Sequence, residues 1–146
     1  MKKLGVFPVV LCSLLWGSPL SANAQLSPDE QQVQQVTHDR LIELALLNDE
    51  FAKRCRGTSV AKHFNQVNRL FITKYGMTAN NYIQSFISRD TRAYQQQIAM
   101  AFNDQLSDKG GCEAAKDQQW DRQMADEFKR HLQQVEAANW RPQRRF

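Results

Sequence analysis

From Ser27 onward, apolar residues recur three or four positions apart, the spacing that gathers them on one face of a helix. The first run, Val33, Val36, Leu41, Leu44, Leu47 and Phe51, predicts one long helix from about Pro28 to about Arg54. Its start carries agreeing signals. Ser27 can cap, Pro28 fits the first helical position, and Glu30 stands where a capping box places its carboxylate.

Gly57 interrupts the pattern, and Thr58 or Ser59 can cap a second helix whose buried stripe is Val60, Phe64, Val67 and Phe71. Gly76 is a natural stop for it. Thr78 opens a short third helix with Tyr82, Ile83, Phe86 and Ile87 inward, and Asp90 opens a fourth with Tyr94, Ile98, Ala101, Phe102 and Leu106 on its core side. The turn "SDKGGC" delivers Cys112 to the head of the last helix, which carries Trp120, Met124, Phe128, Leu132 and Val135 and fades around Ala138. Neither sustained alternation nor an Asn-Gly or Asp-Gly turn argues for a strand. The expected fold is all-α, an irregular bundle of about five helices spanning residues 25–138, followed by a basic, flexible tail over 139–146, "NWRPQRRF".

The first 24 residues follow a different pattern. A lysine pair precedes the apolar run "LGVFPVVLCSLLWG", and Ala22 and Ala24 supply the small residues of a cleavage site. This is the pattern of a signal peptide, cut between Ala24 and Gln25, and the run is too short for a spanning helix of roughly 20 apolar residues. Leu11, directly before Cys12, is too large for a lipoprotein cleavage site. The expected location is therefore the periplasm or the medium, with no transmembrane span in the mature chain.

Cleavage would leave Cys55 and Cys112, an even count in an oxidising compartment, where lone pairs of cysteines bridge. A Cys55–Cys112 bridge would clamp the first and last long helices together. Lys53, Arg54 and Arg56 would also lower the pKa of a free Cys55 thiol, but the chain has no CxxC pair and no motif of a cysteine hydrolase. Neither cysteine has a neighbour at zinc-ligand spacing.

Charge is distributed unevenly. Residues 25–50 hold six acids and one base, whereas residues 51–89 hold seven bases and no acid. Lys62 and Arg69 lie seven residues apart, on the side of the second helix opposite its apolar stripe. Such a face either meets an anionic partner or is balanced by acids on neighbouring helices. The mature net charge of +2 is small for a nucleic-acid-binding domain.

Chemical signatures are sparse. His38, His63 and His131 are not at helical metal-pair spacing, and each is expected to be solvated or capping. His38 and Asp39 are adjacent, so on a helix their side chains diverge. No cofactor or metal is expected, and no catalytic residue is assigned. The expected function is a non-catalytic one: an exported helical protein that docks on another protein, as an immunity protein or an envelope or secretion accessory factor does. The partner would be a protein, with an acidic surface facing Lys62, Arg69 and Lys74 and contacts at Asn80 and Asn81. Two other classes stay open. A carrier of lipid or a small apolar ligand would hold it between Phe64, Phe71, Phe86 and Phe102; an enzyme would need a pocket that joins His63 to a carboxylate.

Overall fold

The computed structural model describes residues 26–143, so the signal-peptide reading and Arg144 and Arg145 of the tail lie outside the described residues. Six α-helices follow one another: α1 (Pro28–Cys55), α2 (Lys62–Tyr75), α3 (Ala79–Tyr82), α4 (Thr91–Asp108), α5 (Cys112–Asp117) and α6 (Trp120–Ala137). A π-helical segment, Ile83–Ile87, continues α3, and no strand occurs among the described residues.

α1 begins as the sequence predicts. Glu30 N–H donates to Ser27 Oγ at 3.3 Å, and Ser27 N–H donates to the Glu30 carboxylate at 2.8 Å, closing the capping box. In its middle Leu41, Ile42, Leu44 and Ala45 are all fully buried. Burial of consecutive residues means that this stretch is covered on several sides, and α1 indeed packs against α2, α4 and α6. It is the axial helix of the bundle.

The core has two parts along this axis. Around the middle of α1, Val67, Phe71, Tyr82, Ile83, Leu132 and Val135 close one cluster. Near its C-terminus, Phe51 meets Phe102 and Trp120 edge-on at 6.3 Å, and those two rings stack at 5.3 Å. Beside this aromatic group Cys55 bridges to Cys112, with 5.4 Å between their Cα atoms. Each fully buried aliphatic or aromatic side chain contributes roughly 2 kcal/mol.

Several expectations are corrected. The bridge joins α1 to the short α5, because the helix opened by Cys112 ends before Trp120. Gln119 sits in the left-handed region at φ 58° and turns the chain into α6. No glycine or proline marks that break. α2 starts at Lys62, without a cap from Thr58 or Ser59, and Val60 is 62% exposed. Asp49 of α1 does the capping instead: its carboxylate oxygens accept from the N–H groups of His63 and Phe64, each at 2.9 Å. Ala101 faces solvent. The segment after Ala138 is not wholly a free tail, because Trp140 is buried to 8% exposure in the main core cluster. Gly76 does end α2, at φ 68°, where its N–H bonds to the Ile72 carbonyl.

α1 is 28 residues long, about 42 Å, while its longest neighbours α4 and α6 have 18 residues each, about 27 Å. The shorter helices leave part of α1 uncovered. Its first turns overhang the body, and Val33 and Val36, expected on the buried stripe, are 63% and 59% exposed.

Candidate functional site

The surface expected from sequence separates into different roles. Lys62 and Arg69 are exposed and make no ion pair among the described residues. Lys74 is not available in the same way. Its Nζ donates to the carbonyls of Val135 and Glu136, the latter at 2.7 Å, and so caps the C-terminus of α6. Asn80 accepts from Gln95 Nε2 at 3.2 Å, and the Asn81 N–H donates to Thr78 Oγ1 at 3.0 Å, so Asn81 belongs to the start of α3. The basic middle segment is compensated in part: Arg56 pairs with Asp121 at 2.9 Å and Lys53 approaches Glu50 at 3.8 Å.

The concave surface with the most unusual chemistry lies where the overhanging turns of α1 face the π-helical segment. Gln32, Gln35, Val36 and Asp39 form one wall, Ser85 and Phe86 the other, and Gln143 closes the end; the groove measures about 460 Å³. π-helical turns inside α-helices recur at functional sites, because the extra residue re-aims the side chains that follow. Here the turn follows Tyr82, whose ring lies 4.8 Å from that of Phe86.

Asp39 is the charged group of this groove. It accepts a hydrogen bond from the Tyr82 hydroxyl at 2.9 Å. Burial pushes its carboxyl up to about 6, and the Tyr82 bond pulls only partly the other way. Burial and the adjoining carboxylate push the Tyr82 phenol well above the usual tyrosine range.

One residue earlier, His38 points elsewhere, as helix geometry requires. It is fully buried, which corrects the expectation of a solvated or capping ring. Its Nδ1 donates to the Gln34 carbonyl at 2.6 Å, and its Nε2 accepts from the Tyr75 hydroxyl at 2.6 Å. Burial holds its pKa near 4, and the Lys74 charge adds to that, so the ring is neutral at neutral pH. Burial also raises the Tyr75 hydroxyl to about 12. His38 and Asp39 therefore belong to two polar contacts, one interior and one opening to the groove.

His63 does meet a carboxylate: its Nδ1 lies 2.8 Å from Asp49 Oδ1. Both oxygens of that carboxylate also receive the α2 amides, and the imidazole stands edge-on to Phe128 at 4.9 Å. No hydroxyl or thiol hydrogen-bonds the other ring nitrogen among the described residues. The pair thus fastens α2 to α1 and has no nucleophile in line. His131 Nδ1 bonds back to the Glu127 carbonyl at 2.9 Å, a local helix contact.

Of the four phenylalanines suggested for an apolar cavity, Phe71 and Phe102 are fully buried core residues. Phe64 and Phe86 line two separate surface hollows. Among the described residues, no three His, Cys, Asp or Glu side chains converge on a metal-sized point, and no helix is long and apolar enough to cross a membrane. Sequence reasoning missed the groove. Its signal was present in the apolar pattern, since Val33 and Val36 continue the α1 stripe but are left exposed. Comparison with protein-family models, curated proteins and solved structures finds no match.

Proposed function

We propose that this is an exported, non-catalytic binding protein that receives a segment of another protein along the overhanging face of α1. The observation that carries the reading is the exposure of Val33 and Val36, 63% and 59%, on the helix that walls the groove of Asp39 and Phe86. A folded domain gains nothing by holding two neighbouring valines in water, whereas covering them on binding is favourable.

The other lining groups suit a polypeptide. The amides of Gln32, Gln35 and Gln143 and the Ser85 hydroxyl offer both donors and acceptors, as a peptide backbone requires. Val36 and Phe86 offer apolar contact for side chains. The groove wall is a capped α-helix that is already ordered, so little ordering of α1 would oppose docking. Export is supported by the signal-like first 24 residues together with the Cys55–Cys112 bridge, which fits an oxidising compartment. Within this class, toxin immunity or service to an envelope or secretion assembly are the roles a small rigid binder fills.

Replacing both Val33 and Val36 by Glu tests the reading. Both side chains are exposed, so the thermal melt stays within about 2 °C of the parent. Partner recovered from envelope extract, quantified by mass spectrometry, falls at least about tenfold. Unchanged recovery with V33E/V36E, coupled to loss with K62E/R69E, would transfer the interface to the outer face of α2.

A further inference from the structure

Gln32, Gln35, Val36 and Asp39 lie at three- and four-residue spacings, so the first turns of α1 hold them on one face. Asp39 is the one charged residue that lines the groove. The adjoining hollow, which shares Gln32 and Val36 with it, adds Asp29 and no base. The Tyr82 hydroxyl donates to Asp39 Oδ1, and Oδ2 accepts no hydrogen bond among the described residues. Oδ2 is not sealed in the interior, because the one buried side-chain oxygen or nitrogen without a partner among the described residues is Glu50 Oε2. No base compensates the carboxylate either. Arg40, the next residue, reaches Glu43 and Glu127 instead, at 2.8 and 2.9 Å, and Asp39 belongs to no ion pair among the described residues.

A half-buried carboxylate without a counter-charge is held at a cost, and burial accordingly raises this carboxyl to about 6. At neutral pH it is still ionised. The group that relieves the cost carries positive charge, donates a hydrogen bond to Oδ2 and lays an apolar stem against Val36 and Phe86. Lysine and arginine side chains have that form. A divalent metal does not fit, since hard cations take several oxygen ligands and no group of three ligating side chains converges among the described residues. An acidic segment would set its own charge against Asp39 and be rejected.

Resting on the reading of this groove as a docking site, we infer that the segment it receives is basic: a lysine or arginine side chain pairs with Asp39 Oδ2 while apolar neighbours cover Val33, Val36 and Phe86. The partner thus carries the opposite charge to the one expected from Lys62, Arg69 and Lys74.

Selection of phage-displayed random nonapeptides on the immobilised, oxidised protein tests the inference. The parent is expected to enrich one Lys or Arg flanked by apolar residues, and Val33→Gln with Val36→Gln, which adds no charge, to lose those peptides. Calorimetry then compares the strongest peptide with its analogue carrying Gln in place of the cation, on the parent and on Asp39→Asn. That variant keeps the side-chain shape and a carbonyl for Tyr82. Either change alone is expected to weaken binding at least about tenfold, and both together no more than one does. Losses that simply add would overturn the pairing. Enriched peptides without a cation, still lost with the two glutamines, would overturn the inference and leave the docking site standing. Peptides indifferent to those glutamines, or no enrichment by the parent or by a variant with Arg144 and Arg145 both changed to Gln, would overturn the groove as a peptide site as well. Enrichment by that arginine variant alone would assign Asp39 to this chain's own cations and overturn the outside partner.

Discussion

The indole of Trp140 lies 4.5 Å from the imidazole of His38, centroid to centroid, with the rings inclined at 58°. A residue beyond the last helix therefore covers the most buried polar side chain of the first. Trp140→Ala is expected to destabilise the fold by about 3 kcal/mol, the usual loss for a buried aromatic. It also admits water to His38, whose pKa then rises from about 4 toward the ordinary histidine value. Thermal melts and an NMR titration of the His38 ring check both; an unchanged melt would mean that the chain beyond Ala138 is peripheral after all.

His38 and Asp39 act on stability with opposite signs over nearly the same pH window. Folding lowers His38 from about 6.5 to about 4, so the unfolded chain holds the extra proton between those values and stability rises with pH there. Folding raises Asp39 from about 3.8 to about 6, so the folded chain holds the extra proton and stability falls with pH across that range. The two contributions offset each other in the parent protein. Asp39→Asn should leave stability rising more steeply from pH 4 to 6, and His38→Gln should leave it falling, by on the order of 1–3 kcal/mol across the window. Urea melts at several pH values, read as differences from the parent, give the slopes; slopes of the same sign in the two variants would contradict the assignment.

Lys74 and the Lys62/Arg69 pair separate a structural cation from exposed ones. Removing the Lys74 ammonium leaves the α6 carbonyls of Val135 and Glu136 without their donor. Lys74→Met is expected to lower stability by about 1–2 kcal/mol, whereas Lys62→Glu with Arg69→Glu changes it by less than about 0.5 kcal/mol. Chemical denaturation of the two proteins checks the contrast.

Loss of the bridge should be felt throughout the bundle. Cys55 and Cys112 enclose a 57-residue separation that contains α2, α3 and α4. Reduction, or Ser at both positions, is expected to cost about 2–4 kcal/mol. Melts with and without reductant measure it, and alkylation of the denatured protein isolated from its native cells should find no free thiol at either position.

Much of this architecture is legible in the chain because local signals and burial agree. Ser27, Pro28 and Glu30 place the start of α1, Gly76 ends α2, and Trp120, Met124, Phe128, Leu132 and Val135 all fall inside at helical spacing. What escaped depends on contacts distant in sequence. Asp49 caps α2 from fourteen residues away, so Thr58 and Ser59, the local candidates, are not used. Gln119 adopts a left-handed conformation without a glycine to announce it. Trp140 follows polar and small residues, and its burial depends on the shape of the space above His38.

The proposed docking surface was less legible for a related reason. Charge runs are visible in sequence, but their compensation is three-dimensional: Arg56 and Lys74 are engaged by α6, while Lys62 and Arg69 are not. The groove arises from a mismatch of helix lengths, which the 28 and 18 residues of α1 and α6 imply but no motif records. Asp39 joins it only because Tyr82, 43 residues later, turns toward α1 at the head of the π-helical segment.

Docking along the first turns of α1 is tested most directly by a photo-crosslinking residue placed at Val36 and, in parallel, at Arg69 and Met100. All three positions are exposed, so each variant should fold like the parent. Irradiation of intact cells should yield one discrete protein adduct from position 36 and none from 69 or 100. A discrete adduct from position 69 with none from 36 would contradict the assignment of the α1 groove as the docking site.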